Sequence, residues 1–388
     1  MATWNLDPAF THLNHGSFGA CPVEVLDRQH ELRQLMEANP VTFMLEHYQR
    51  LLEVERAAIA EFLHADTAGL VFVPNATYGV NSVLRSWEAR LSAGDEILVT
   101  DHAYNACRNA VEVTAARTGA RVVVAAVPFP VSAPNEIVEA VLAAVSDRTA
   151  LVMLDHVTSP TAIVFPVAQL VAELEPDIPV LVDGAHAPGM IPVDLAELGA
   201  SFYTANCHKW LCAPKGAAVL HVAERHRDAV EAVSISHGHN GQWPGSSSDF
   251  HGRFDWTGTD DPTARLSVST ALAVVGAHHP DGWDGIRRSN HELVLHGRDI
   301  VADALGTTTP VPDAMVGSIA ALRLPDAGDT SDSVFDEVTA RLRSEWQIEV
   351  PSFTWPETPQ RLVRISAQQY NTEADYHRLA EALTTILG

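Results

Sequence analysis

The chain has 388 residues, 46% hydrophobic and 19% charged, a globular composition long enough for two domains. Its 49 acidic and 25 basic residues give a formal net charge of -24, which repels phosphate backbones and anionic lipid and argues against nucleic acid or membrane partners. Cys21, Cys107, Cys207 and Cys212 form neither a CxxC pair nor a disulfide framework. No apolar run reaches membrane-spanning length, and Met1-Ala2-Thr3-Trp4-Asn5 lacks a signal-peptide pattern, so a cytoplasmic protein with reduced thiols and no metal is expected.

From about residue 55 helical and strand-like runs alternate. Residues 51–63 have helical spacing and 69–73 form a short apolar strand before Pro74 and Asn75. A helix follows over 76–91, a strand over 96–100, a helix over 105–118 and a strand over 121–127. Then come a helix over 135–145, a strand over 150–154, a helix over 167–175 and the strand Val180-Leu181-Val182. This rhythm predicts an α/β domain with a mostly parallel sheet covered on both faces. Residues 236–261 are rich in Gly, Ser, His and Asp and read as a loop, whose His237, His239, Asn240, Gln242 and Trp243 could meet a polar substrate tail. Beyond it a helix over 265–277, a strand over 319–324, a helix over 334–346, a strand over 362–366 and a helix over 372–387 predict a smaller α+β domain.

The basic residues include only two lysines, Lys209 and Lys215. A coding bias toward arginine removes lysine wherever arginine serves. A surviving lysine is a candidate for a position that needs an amine able to lose its proton. Lys209 closes Phe202-Tyr203-Thr204-Ala205-Asn206-Cys207-His208-Lys209-Trp210, between apolar stretches that would lower its pKa and make it a nucleophile and base near neutrality.

Ligands of open α/β sheets bind at the carboxyl ends of strands, and four such ends carry polar groups. Val73-Pro74-Asn75-Ala76-Thr77 enters a helix, where the amides of Ala76 and Thr77 and the Thr77 hydroxyl suit a phosphate; a plain N-cap is the competing reading. His102 or Tyr104, in Asp101-His102-Ala103-Tyr104, could lie flat against a planar ligand. His156, after Leu154-Asp155, could donate to a phenolate oxygen. Asp183, directly after buried aliphatics, needs a cationic partner to stay ionised, and a protonated pyridine nitrogen is one. An amine, a ring-nitrogen acid, a planar group, a phenolate donor and a phosphate cradle are what pyridoxal 5'-phosphate (PLP) requires.

Val182-Asp183-Gly184-Ala185-His186-Ala187-Pro188-Gly189 and Ser201 to Leu211 resemble class V aminotransferase-fold (fold type I) PLP enzymes, most closely the isopenicillin N epimerase-like branch. Leu13-Asn14-His15-Gly16-Ser17-Phe18-Gly19, Asn75-Ala76-Thr77 and Asp101-His102-Ala103-Tyr104 agree in consistent order. The resemblance implies a large PLP-binding domain over 21–263 with a mostly parallel seven-stranded-type sheet. Residues 1–20 with 264–388 would form the small α+β domain. It implies catalytic roles for Lys209, Asp183 and His186. Lys209 would carry the cofactor and Asp183 would pair with the ring nitrogen. His186 and His156 would lie near the phenolate, and His102 would stack on the ring with Tyr104 beside it. Ala76, Thr77, Asn206 and His208 would hold the phosphate, with Asn206 standing where many relatives have serine. Trp256-Thr257-Gly258-Thr259 would reach the phosphate of a neighbouring subunit, implying a homodimer with shared active sites. Arg364 would clamp the substrate carboxylate, with Asn14, His15 and Tyr104 also at the substrate.

The late-loop cysteine of cysteine desulfurases is missing, since no cysteine follows Cys212, and Cys207 and Cys212 read as packing residues. The expected reaction therefore starts at Cα of a bulky or S-cysteinyl α-amino acid, through an external aldimine, in specialised, antibiotic-type metabolism. Epimerisation would need a second acid, for which His15, Tyr104 and His237 are candidates. C–S β-elimination, decarboxylation with oxidative deamination, and transamination stay open. A non-catalytic regulator of the same fold is the reading from another class, against which stand the presence of Lys209, Asp183 and Arg364 and the lack of an appended basic DNA-binding segment.

Overall fold

A computed structural model describes residues 4–175, 177–241, 243, 245–327 and 337–388. In chain order the main elements are α1 (Val23–Ala38), α2 (Tyr48–Phe62), β1 (Leu70–Val73), α3 (Ala76–Trp87), β2 (Glu96–Thr100), α4 (Asn105–Thr118) and β3 (Arg121–Ala125). They continue with α5 (Pro134–Ala143), β4 (Thr149–Asp155), α6 (Val167–Leu174), β5 (Val180–Asp183), β6 (Phe202–Asn206), β7 (Ala218–Val222), α7 (Asp249–Asp255) and α8 (Val268–Gly276). The last are α9 (Gly282–Leu305), β8 (Ile319–Leu324), α10 (Glu337–Trp346), β9 (Ser352–Thr354), β10 (Arg361–Ser366) and α11 (Glu373–Leu387).

The seven-stranded sheet runs β1-β7-β6-β5-β4-β2-β3, with β7 antiparallel to both neighbours and the other pairs parallel. Every residue of β2, β5 and β6 is buried, as expected of strands covered on both faces. Met153 and Leu181 face one side with Val80 and Val83 of α3 and Val111 of α4. Val152, Leu154 and Val182 face the other, with Ile137 of α5 and Leu170 of α6. This alternation decides which polar residues meet at the strand ends. A second, antiparallel sheet, β9-β10-β8, packs with α9 and α11 through Val363, Ile365, Val294, Leu379 and Leu383.

The N-terminal segment joins the second sheet. Thr11–His12 pairs with Ile348–Glu349, and Ser366 N–H donates to Leu13 O at 2.9 Å. It then crosses the turn that carries Lys209. Gly19, at φ 71°, passes so close to the His208 carbonyl that a Cβ there would strike it.

Residues 236–261 are not a continuous loop. Ser248 caps α7 by accepting from His251 N–H, and Phe250 and Phe254 bury themselves beside β1. The polar composition hid a seven-residue helix whose apolar positions lie four apart. The helix read over 265–277 divides into a 3₁₀ turn, Pro262–Ser267, and α8. The first residues of the helix read over 334–346 lie outside the described residues. Helices α1 and α9 and the antiparallel strand β7 were not anticipated from the sequence.

Candidate active site

Lys209 follows β6, and its Nζ lies 3.0 Å from Nε2 of His186, in the turn after β5. The Trp210 indole N–H reaches His186 Nδ1 at 3.4 Å. A ring that accepts at Nδ1 carries its proton at Nε2, so His186 donates to Lys209, which requires an uncharged amine. Burial, reinforced by the Arg364 charge, lowers the Lys209 pKa to about 8, and burial drives His186 well below the usual histidine value.

Asp183 ends β5. The Ala185 N–H donates to its Oδ1 at 3.0 Å and the Cys107 thiol to its Oδ2 at 3.1 Å. Burial raises its pKa against these hydrogen bonds and the Lys209 charge. Beside it, in register on β4, is Asp155, also buried. Asp155 and Cys107 had no assigned role in the sequence reading. Asp155 carries the same signal as Asp183, an acid closing a buried aliphatic run. Cys107 carries no signal of its own.

Arg364, from the second sheet, is 6% exposed. It donates to Ser159 O at 2.7 Å, Ser159 Oγ at 3.0 Å, Ser17 Oγ at 2.9 Å and Asn14 Oδ1 at 3.5 Å. The other buried arginines are paired: Arg56 with Asp255 at 2.8 Å, Arg298 with Asp313 at 2.6 Å. No carboxylate pairs with Arg364 among the described residues, and burial lowers its pKa to about 10. A desolvated guanidinium without an anion is a vacancy for one.

At the start of α3, Asn75 accepts from Tyr78 N–H at 2.8 Å and Asn206 Oδ1 accepts from Ala76 N–H at 2.9 Å. The Ala76 amide, expected at the phosphate, is thus spent on Asn206. Thr77 N–H is the donor of that turn left without a protein acceptor among the described residues. His208 Nδ1 donates to Ala217 O at 3.1 Å, which leaves Nε2 for another partner.

Tyr104 stands at the entrance to α4, 44% exposed, with Asp183 and Arg364 close enough to bear on its hydroxyl. His102 is placed elsewhere. Its nitrogens meet Thr161 Oγ1 at 2.7 Å and Val127 O at 3.2 Å, and Phe129, Phe165 and Trp355 enclose its ring. No face remains for a planar ligand. His156 sits in the other pleat from Asp155. Its Nδ1 pairs with Tyr203 Oη at 3.0 Å, and it borders a groove of about 650 Å³ shared with Phe62, Phe165, Val193 and Arg287. The structure does not bring His156 to Lys209.

His15 lies behind Lys209, fully enclosed, with Nε2 on Lys209 O at 3.1 Å and Nδ1 on Tyr370 Oη at 3.1 Å. His237 is exposed in a turn packed against α7, and His239 pairs with Glu231 at 3.2 Å. Gln242 lies outside the described residues. Trp243 stacks on Trp256 at 3.6 Å. Thr257, Gly258 and Thr259 make no hydrogen bond to the Lys209 cluster among the described residues, and Gly258, at φ 126°, faces open space.

The donor set fits PLP. Lys209 offers the amine, Asp183 a buried acid in need of a cation, and Thr77 and His208 open donor positions beside a helix start. The aminotransferase class-V family model matches residues 19–379. The chain is similar to a putative L-cysteine desulfhydrase 1 of Oryza sativa subsp. japonica, with 33% identity over 97% of this chain and 83% of the relative. It is similar to the isopenicillin N epimerase of Amycolatopsis lactamdurans, with 35% identity over 98% and 96%. The solved complex of the cystine C–S lyase C-DES with cysteine persulfide shares the fold at a TM-score of 0.78 and 21% identity, covering 97% of each chain. Isopenicillin N epimerase-like sequence features, the seven-stranded sheet and the Lys209 site thus agree with one lineage: the chain belongs to the class-V aminotransferase family and is a PLP-dependent enzyme of fold type I.

Proposed function

We propose that this enzyme removes the Cα proton of a bulky or S-cysteinyl α-amino acid in specialised metabolism. The observation that carries the reading is Arg364, a buried guanidinium with no carboxylate partner among the described residues, near an amine of lowered pKa. The substrate carboxylate takes Nη2 of Arg364 from Ser17 Oγ and Asn14 Oδ1, while Ser159 O and Oγ anchor Nη1 and keep the guanidinium in place. Lys209, whose pKa lowered to about 8 makes the free amine accessible near neutral pH, takes the proton from Cα. PLP, when bound, supplies the electron sink that makes this proton acidic. Asp183 holds a positive charge at the ring nitrogen. Tyr104, rather than the enclosed His102, lies against the ring. Thr77 and His208 hold the phosphate, and His186 stays beside the Lys209 nitrogen.

Support comes from the relatives as well: the chain is similar to an isopenicillin N epimerase and to a putative L-cysteine desulfhydrase, and inversion at Cα requires that its proton leave. Incubation with amino acids and cysteine S-conjugates in deuterium oxide tests the reading. Cα deuteration that disappears in Arg364→Ala is the expected result; no exchange with any of them would refute it.

A second reading, β-elimination of a thiol, gains from the fate of the second acid. His15 is committed on both nitrogens and His237 lies in an exposed turn, so Tyr104 alone is left to reprotonate the opposite face. Pyruvate, ammonia and thiol would mark elimination, and inverted configuration would mark epimerisation. We also propose a cytoplasmic homodimer whose Thr257-Gly258-Thr259 segment reaches the partner's phosphate site, and a division into residues 21–263 and residues 1–20 with 264–388. Val41, Leu45 and Val54 are exposed apolar side chains, and sedimentation of the full chain would test the dimer. Among the described residues no helix is long and apolar enough to cross a membrane.

A further inference from the structure

Asp155 closes β4, Asp183 closes β5, and the two are register partners on parallel strands. Residues so paired point to the same face, on strands about 4.8 Å apart. Each is 3% exposed. Asp183 receives the Ala185 N–H and the Cys107 thiol, and Asp155 receives the Tyr104 backbone N–H. Lys209 is a cationic group acting on both, and its own burial favours the neutral amine. Cys107 also faces the pair and Tyr104 lies near Asp183, and burial keeps both protonated.

Two buried carboxylates paired in register on adjacent strands do not both ionise readily; they titrate as a pair that keeps one proton. Burial pushes both carboxyls up, and the Asp183 charge adds to the effect on Asp155. Asp183 accepts two hydrogen bonds, from the Ala185 N–H and the Cys107 thiol, and is therefore better held as the anion, which leaves the proton on Asp155.

We propose that Asp155 is a positioning residue that stores, through Asp183, the proton that Asp183 presents to the ring nitrogen of the cofactor. This rests on the reading that Asp183 meets that nitrogen. The proton count closes. One O–H bond of the carboxyl pair breaks and one N–H bond forms. The pair goes from one negative charge to two, the ring gains one positive charge, and nothing is exchanged with solvent. A second carboxylate behind the first then holds the ring nitrogen protonated more firmly than Asp183 would alone. The Tyr104 N–H on Asp155 links this store to the loop that carries the ring-facing tyrosine.

The test uses the full-length cofactor-free protein with two probes, PLP and its 1-deaza analogue, in which the ring nitrogen is replaced by C–H. Infrared difference spectra should show a protonated-carboxyl band that PLP removes and the analogue leaves in place. In Asp155→Asn that band should be absent, and the preference for PLP over the analogue in dissociation constant should fall by about tenfold. The wild-type arms need no variant, and Asp155→Glu should restore part of the preference. A carboxyl band that survives PLP binding, or an unchanged preference in Asp155→Asn, overturns the role of Asp155 alone. Equal binding of both probes by the wild type overturns the Asp183 assignment with it. Absence of lysine-bound PLP absorbance overturns the proposed function as a whole.

Discussion

His186 donates its Nε2–H to Nζ of Lys209 across 3.0 Å, a direction set by the indole of Trp210 on the other ring nitrogen. Hydrogen bonding to the neutral amine adds to burial in disfavouring the ammonium. In the cofactor-free protein, acylation of Lys209 by a water-soluble anhydride should therefore rise with a midpoint near pH 8, where Lys209 titrates. The chain has only Lys209 and Lys215, so peptide mass spectrometry reads the two separately. In His186→Ala the midpoint should move up, toward the ordinary lysine value of about 10.4. A wild-type midpoint already at that value would contradict the geometry.

Arg364 should behave as a clamp. Hydrogen bonds to charged groups are worth about 1.5–3 kcal/mol each, so losing a two-point grip on a carboxylate should lower kcat/KM by roughly 10²–10⁴-fold. Arg364→Lys should recover little, since an ammonium cannot reproduce the fork. The loss should fall mainly on KM for Cα exchange. Retained affinity for the amino acid in Arg364→Ala would remove the clamp.

Where an element's own residues determined its place, the sequence showed it. Strand Glu96–Thr100 and helix Asn105–Thr118 begin and end where hydrophobic spacing and flanking polar residues put them. Lys209, Asp183 and Arg364 stood out in the sequence as polar groups interrupting or closing apolar runs, and Tyr104 only as a planar group beside His102 after a strand. His102 and His156 carried the same local pattern, yet the structure turns both into the other pleat, where Thr161 and Tyr203 satisfy them. A pattern along one strand does not say which face a residue takes once the strand has ended. The bond of Ala76 to Asn206 and that of Cys107 to Asp183 join residues more than seventy positions apart, and only the assembled sheet creates them.

Asp183 should cost the cofactor-free protein stability. Its folded-state pKa lies above the unfolded value, so the folded state binds more protons and stability falls as pH rises through the window that opens near pH 3.9. Above the folded-state pKa the penalty is complete. Asp183→Asn should therefore stabilise the cofactor-free protein at pH 7 by about 1–2 kcal/mol, with the gain shrinking toward pH 4. Urea denaturation across that range measures it. The same variant should bind PLP more weakly. A variant less stable than wild type at pH 7 would mean that hydrogen bonds to the carboxylate outweigh its burial.

Tyr104 can be separated into ring and hydroxyl. If its ring lies against the cofactor, Tyr104→Ala should weaken PLP binding by about tenfold or more, since aromatic stacking contributes about 1–3 kcal/mol, while Tyr104→Phe should bind PLP as the wild type does. The hydroxyl, raised by burial above the usual tyrosine value, stays protonated through neutral pH and can serve as an acid. Tyr104→Phe should then keep Cα deuterium exchange with retained configuration and lose inversion, if the wild type inverts. Since His15 is committed on both nitrogens and His237 lies in an exposed turn, inversion that persists in Tyr104→Phe would exclude a two-residue epimerase mechanism built on these groups.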